Sequence, residues 1–175
     1  KQINSDPSLG IKGIIDICGS TGKEITISDI VFKIGPRINA SGRMMNGKEA
    51  VELLLAKDRT VAKEKSESIN QYNEERRELD KKITDEANAI IDNVQDIDDN
   101  RAIVVYNPNW HKGVIGIVAS RLTEKYYRPA VVLTKSSEFI TGSARSVTGF
   151  DIYKAIENCR ALLANFGGHT YAAGF

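Results

Sequence analysis

Apolar residues recur along this chain in two different rhythms, and the change between them falls near residue 98. Over residues 8–18, Leu9, Ile11, Ile14, Ile15 and Cys18 lie close to one helical face, and Gly19 suits the stop that follows. A turn spans 19–22. A second short helix is predicted after Ser28, carrying Ile30, Val31 and Ile34 and broken at Gly35-Pro36. No period is discernible from Pro36 to Gly47, which predicts an irregular loop. Asn46, three residues ahead of Glu49, has the spacing of a capping box and opens an apolar helix over Ala50–Leu55.

From about Thr60 to Val94 the chain has no Gly or Pro. Ile69, Tyr72, Leu79, Ile83, Ala87, Ile90, Ile91 and Val94 trace a narrow helical stripe, and charge fills the other faces, with Glu78 ahead of Lys82 adding support at i,i+4. A helix of that length reaches about 50 Å at a rise of 1.5 Å per residue. A thin apolar stripe fits a connector between domains or a solvated helix flanking a core.

After an acidic turn (Asp96, Asp98, Asp99) the rhythm shortens. Ala102–Tyr106, Ala130–Leu133, Phe139–Ser146 and Thr170–Phe175 read as strands. Val114–Tyr126 reads as a helix, and so does the run that Asp151 caps, through Ile152, Ala155, Ile156, Cys159, Leu162 and Leu163. Strands alternating with helices predict an α/β fold, a mixed sheet with helices on its faces behind a mostly helical first part.

The 175 residues, 41% hydrophobic, leave room for one good-sized domain or a small domain and part of another. Cys18 and Cys159 sit in apolar helical patterns and read as buried thiols rather than a disulfide. No apolar run reaches the ~18 residues that span a bilayer, and with no signal peptide at the start a cytoplasmic protein is expected. The chain opens on Lys1 and stops at Phe175 within a predicted strand, so a piece of a longer protein is expected. With 24 basic and 23 acidic side chains the net charge is only +1. That balance argues against nucleic-acid binding by the whole surface, and any such site must be a local cluster of Arg and Lys.

Several clusters qualify. The turn Asn107–Gly113 joins a strand to a helix, where open α/β sheets bind ligands and a helix start attracts anions. Within it Trp110 offers a base-stacking surface beside His111, although a Trp-His pair also suits core packing. In Gly142–Ser146 a period of two puts Ser143 and Arg145 on one face, a pairing suited to phosphate oxygens or to a neighbouring carboxylate. Gly167-Gly168-His169 permits close backbone approach, or is simply a turn. Arg37, Asn39 and Arg43 punctuate Gly35–Arg43 with no acid nearby, and suit a phosphate or helix ends. His111 and His169 are the only histidines, and no Asp-His-His, Cys-rich, Walker-type or G-x-S-x-G grouping occurs. A complete hydrolytic centre within this stretch is therefore not expected.

The runs IGPRINASGRM, NEERRELD, NWHKGVIGIVASRL, RPAVVL, GSARS and FGGHTYAAGF follow one another in an order and spacing that resembles the RecJ family of single-stranded-DNA-specific exonucleases, in the DHH phosphoesterase superfamily. The likeness runs from about residue 8 to 175. It implies a fragment of a 5′→3′ exonuclease aided by Mn²⁺ or Mg²⁺ in DNA repair and recombination. Residues 1–59 would be the end of a DHH-type catalytic domain, 60–97 a connector helix, and 98–175 a DHHA1-like domain whose last strand continues beyond Phe175. The family's metal-binding motifs lie upstream, so no bound metal and no catalytic residue are expected here, with His169 at most facing the cleft. By the resemblance Arg37, Asn39 and Arg43 lie near the DNA path. Ser143 and Arg145 hold a terminal phosphate, Gly167, Gly168 and His169 face the catalytic centre, and Trp110 and His111 belong to the same substrate side. Single-stranded DNA is the expected partner, with no membrane. The alternatives are a DHH/DHHA1 phosphodiesterase of oligonucleotides or cyclic dinucleotides, a non-catalytic RNA-binding module, and an interaction domain without a nucleotide ligand.

Overall fold

The computed structural model describes residues 2–93 and 100–175, which form two compact units parting between Glu78 and Leu79. Val94 and the acidic turn at Asp96, Asp98 and Asp99 lie outside the described residues. The fold is α/β, as the two rhythms predict.

In the first unit, α1 (Gln2–Ser5) leads to α2 (Leu9–Ile17), which ends where Gly19 takes φ +66°. That left-handed residue is the predicted stop, and glycine adopts it without a steric penalty. The next helix opens at α3 (Ile27–Asp29), where Thr26 and Asp29 cap each other reciprocally. Hydrogen bonds from Lys33 and then Thr26 hold the Asp29 carboxyl well below the usual carboxylate range.

The predicted break at Gly35-Pro36 is absent. Ile30–Ile34 form a π-helical turn in which the Gly35 N–H reaches back to the Ile30 carbonyl, and α4 (Gly35–Met44) follows directly. Pro36 lacks an N–H to donate back along the helix, and the widened π turn just ahead of it is where the helix accommodates that loss. The expected loop over Pro36–Gly47 is thus helical as far as Met44. Its period is hidden because α4 buries only Ala40 and Ser41. Nor is Asn46 part of a capping box: its Oδ1 accepts the Lys48 N–H at 2.9 Å, an Asx turn just ahead of α5 (Lys48–Leu54). The core joins Ile14, Ile15, Ile34, Leu53, Ala62 and Ile69.

Helix α6 (Arg59–Asp92) is the predicted long helix. Ala62, Ser66, Ile69 and Asn73 are its buried positions before the division between units, and Asp80, Ile83, Ala87 and Ile91 those after it. Ile90 is 38% exposed, contrary to its place on the predicted stripe. Three of the buried positions are polar, Ser66, Asn73 and Asp80, at intervals of seven residues.

The second unit is a five-stranded sheet in the order β1-β2-β3-β5-β4, with β1 (Ile103–Tyr106), β2 (Ala130–Ser136), β3 (Phe139–Arg145), β4 (Gly167–His169) and β5 (Ala172–Gly174). β1 and β2 run parallel, joined by α7 (Ile115–Tyr126), and the other pairings are antiparallel. Val104 and Tyr106 are exposed, so β1 is buried on one face only. The predicted final strand is a hairpin in which Gly167–His169 is itself a strand. Its turn is held by the Tyr171 N–H donating to His169 Nδ1. α8 (Ile152–Glu157) ends before the predicted stripe does, and a 3₁₀ turn at Arg160–Leu162 breaks the 3.6-residue period. Cys159 is exposed in consequence and Leu162 is 85% exposed, whereas Cys18 is half-buried and burial pushes its thiol pKa up. Both cysteines are free.

Ser136 pairs with Phe139 across a two-residue turn in which Ser137 takes φ +55°. A side chain there carries a left-handed penalty that glycine lacks. Ser137→Gly is expected to stabilise the chain by ~0.5–1 kcal/mol. A thermal melt of the variant at or below that of the parent would refute this strain.

Candidate functional site

Side chains of directly paired residues leave a sheet on the same face, and successive residues alternate. Arg145 pairs with Ala172, which pairs in turn with His169. Two residues along, Ser143 pairs with Gly174, which pairs with Gly167. Ser143, Arg145, Gly167 and His169 therefore share one face, on strands separated only by β5. At an interstrand spacing of ~4.8 Å, the β3 and β4 groups stand roughly 10 Å apart. Between them β5 presents Ala172 and Gly174, so the floor is nearly bare backbone. The result is a shallow trough with a guanidinium and a hydroxyl on one side and an exposed glycine and imidazole on the other.

On β3 the Arg145 Nη1 donates to Ser143 Oγ at 3.2 Å and to the Ala144 carbonyl at 2.8 Å. The serine hydroxyl accepts from the guanidinium and so directs its own proton away from it. The first turn of α7 closes over this pair. A Cβ built on Gly116 would lie 2.9 Å from Ser143 Oγ and 3.1 Å from Arg145 Nη2, so a larger residue there would have to displace the serine hydroxyl and the guanidinium. An unadorned helix start adds partial positive charge to the same face. Gly116 was not singled out from the sequence. The available signal was a glycine in the first turn of an otherwise apolar helix.

The remaining predicted residues fall elsewhere. Gly168 takes no part in that face: a Cβ on it would run into the Ala172 carbonyl oxygen and the Ala173 Cα of β5. Trp110 is 3% exposed, with its indole N–H donating to Glu86 Oε2 at 2.7 Å. It is a core residue and offers no ring face for a base, which corrects the stacking expectation. His111 is half-buried just ahead of α7, its Nδ1 accepting the Gly113 N–H at 3.1 Å. In the first unit Arg37 donates through Nε to Asn70 Oδ1 and through Nη1 to the Lys33 carbonyl, both at 2.9 Å. Asn39 and Arg43, four residues apart on α4, share a different, exposed face. The guanidiniums of Arg37 and Arg43 therefore do not form one cluster.

Sequence reading also missed a polar bridge from α6 to α7. Asp80, 2% exposed, accepts from Arg121 Nε and Nη2 at 2.7 Å each. Among the described residues no three His, Cys, Asp or Glu side chains group to hold a metal ion, so a donor set for Mn²⁺ or Mg²⁺ does not assemble from them. Among them, too, no helix is long and apolar enough to cross a membrane.

The family model of the DHHA1 domain matches residues 82–175. The single-stranded-DNA-specific exonuclease RecJ of Bacillus subtilis is 41% identical over 168 residues, which cover 95% of this chain and 21% of that protein. The Haemophilus influenzae enzyme of the same name is 36% identical over 173 residues, covering 95% and 30%. The chain thus spans less than a third of the length of these curated relatives. Among solved structures, RecJ from Thermus thermophilus in complex with Mg²⁺ superposes with a TM-score of 0.86 at 28% identity, covering 99% of this chain and 26% of that one. An exonuclease RecJ bound to manganese gives a TM-score of 0.82 at 29% identity, covering 99% and 42%.

Proposed function

The chain belongs to the DHHA1 domain family, and from that membership we propose that it is the strand-holding part of a RecJ-like 5′→3′ single-stranded-DNA exonuclease. Its second unit grips a phosphate of the strand, and cutting is done by a metal centre built from residues outside these 175. The observation that carries the reading is the shared face of Ser143, Arg145, Gly167 and His169 across β5. A forked cation, a hydroxyl and open backbone around a bare floor suit a tetrahedral oxyanion. Fixing the phosphate in this way serves a hydrolysis whose rate depends on in-line placement. The near-neutral whole-chain charge is no obstacle, because one cationic face suffices locally. Asn39 and Arg43, on their own exposed face of α4, serve as a further contact to the strand.

The test uses fluorescence anisotropy with the purified chain and short single strands. A 5′-phosphorylated strand is expected to bind weakly but more tightly than its 5′-hydroxyl counterpart. Affinity should fall as salt rises, with a log–log slope of a few at ~0.7 per phosphate neutralised. With Mn²⁺ added, no shortening of the strand is expected. Equal affinity for the two ends would remove the phosphate role, and metal-dependent degradation by the chain alone would overturn the division of labour.

A further inference from the structure

We infer that Glu86 and Trp110 are positioning residues for the phosphate-holding face, acting through the loop that carries His111; the inference rests on the reading just given. Trp110 is fixed at both of its polar ends. Its indole N–H donates to Glu86 Oε2 at 2.7 Å, and its carbonyl accepts the Thr134 hydroxyl at 2.6 Å from a fully buried site on β2. Its own N–H donates to the Asn107 carbonyl, closing the turn. A tryptophan that only filled the core would need some partner for its N–H. Here the partner is a carboxylate on a different element, which makes a stronger, charge-assisted bond and fixes the ring in its plane.

The next residue transmits that placement. The His111 carbonyl accepts the Val114 N–H at 2.9 Å and the Ile115 N–H at 3.3 Å, so it starts α7. Its ring accepts the Gly113 N–H at Nδ1, which selects the tautomer with the proton on Nε2 and presents that N–H as a donor. One residue past Ile115, Gly116 lies against the Ser143 hydroxyl and the Arg145 guanidinium, so that a methyl group there would push on both. A shift of Trp110 must therefore reach His111, the first turn of α7 and the Arg145 guanidinium in sequence. Glu86 acts on all of these through the Trp110 indole.

The test is made on the 175-residue chain with Glu86→Gln, Glu86→Ala and Thr134→Val. Glutamine keeps an acceptor for the indole; alanine removes it while favouring the helix; valine keeps the threonine shape without the donor, and serves if the alanine variant does not fold. One readout is the pair of His111 imidazole ¹⁵N shifts, which report the tautomer. The other is affinity for the 5′-phosphorylated strand. Glu86→Ala and Thr134→Val are expected to collapse the distinction between the two nitrogens and to weaken binding roughly five- to thirtyfold, less than loss of a direct contact to the phosphate because the effect reaches it through the loop. Glu86→Gln should stay within about twofold, as a retained acceptor allows. Unchanged His111 shifts in folded Glu86→Ala and Thr134→Val would overturn the inference, whatever the binding shows. Altered shifts with affinity unchanged, in these variants and in Arg145→Ala alike, would instead overturn the phosphate reading and leave the tie in place.

Discussion

Replacing Gly168 with alanine is expected to pull β4 off the sheet, whereas the same change at Gly167 is expected to leave the fold intact. A Cβ on Gly168 would sit 2.3 Å from the Ala172 carbonyl oxygen, 2.6 Å from Ala173 Cα and 2.9 Å from Ala173 Cβ. None of these atoms belongs to a side chain that can rotate away. Relief must come from separating β4 and β5, which are joined over only Gly167–His169 and Ala172–Gly174. Overpacking of this kind costs ~1–3 kcal/mol, and the lost ladder adds to it. A Cβ on Gly167 meets nothing within 4 Å and would enter the trough. Gly167→Ala should therefore change stability by less than ~0.5 kcal/mol, as substitutions at open surface positions do, yet weaken phosphate binding. Hydrogen exchange at the β4 and β5 amides, with a melting curve for each variant, separates the two roles. Protected amides in Gly168→Ala would show that the close approach of the two backbones is not what requires glycine there.

That pair of neighbours marks where sequence reasoning stops. Gly-Gly-His announces a backbone that must come close to something, but what each glycine approaches depends on a register fixed by the turn at Thr170 and Tyr171. The same limit appears at Pro36. A proline after glycine ends most helices, yet a π turn over Ile30–Ile34 carries this one through, and α4 buries too few apolar residues to reveal a period. Long-range features left still weaker traces. Ser66, Asn73 and Asp80 look like surface residues by composition, but Asp80 is buried because Arg121 reaches it from α7, more than forty residues on. Where periodicity was strong, in α2, α6, α7, β1 and β3, elements were legible to within a residue or two, whereas β2 runs three residues past its expected end at Leu133 and the expected last strand is the β4–β5 hairpin. Ser143 and Arg145 were legible as one face of one strand because a period of two needs no partner. Trp110 was ambiguous on chemistry alone: an indole serves equally in a core or against a base, and only Glu86 and Thr134 decide.

Arg145→Ala is expected to lower affinity for a 5′-phosphorylated single strand by roughly ten- to a hundredfold, the range of a charge-assisted hydrogen bond at ~1.5–3 kcal/mol. The arginine is set for this by its own strand. Nη1 is engaged with Ser143 Oγ and the Ala144 carbonyl, and Nη2 lies beside the start of α7, so the guanidinium plane is fixed before any ligand arrives. Little ordering remains to be done on binding, which favours affinity. Arg145→Lys retains the charge but not the fork, and a lysine cannot hold Ser143 and a phosphate in one plane. The two variants should therefore divide the effect. Alanine reduces the salt slope by ~0.7, the share of one phosphate on a single strand, whereas lysine preserves the slope and still loses affinity. Ser143→Ala should cost less, ~0.5–1.5 kcal/mol, as a neutral hydroxyl does. If Arg145→Ala bound the phosphorylated and hydroxyl-ended strands like its parent, with the same slope, the trough between β3 and β4 would hold no phosphate. The shared face of Arg145 and His169 would then be a matter of sheet geometry alone.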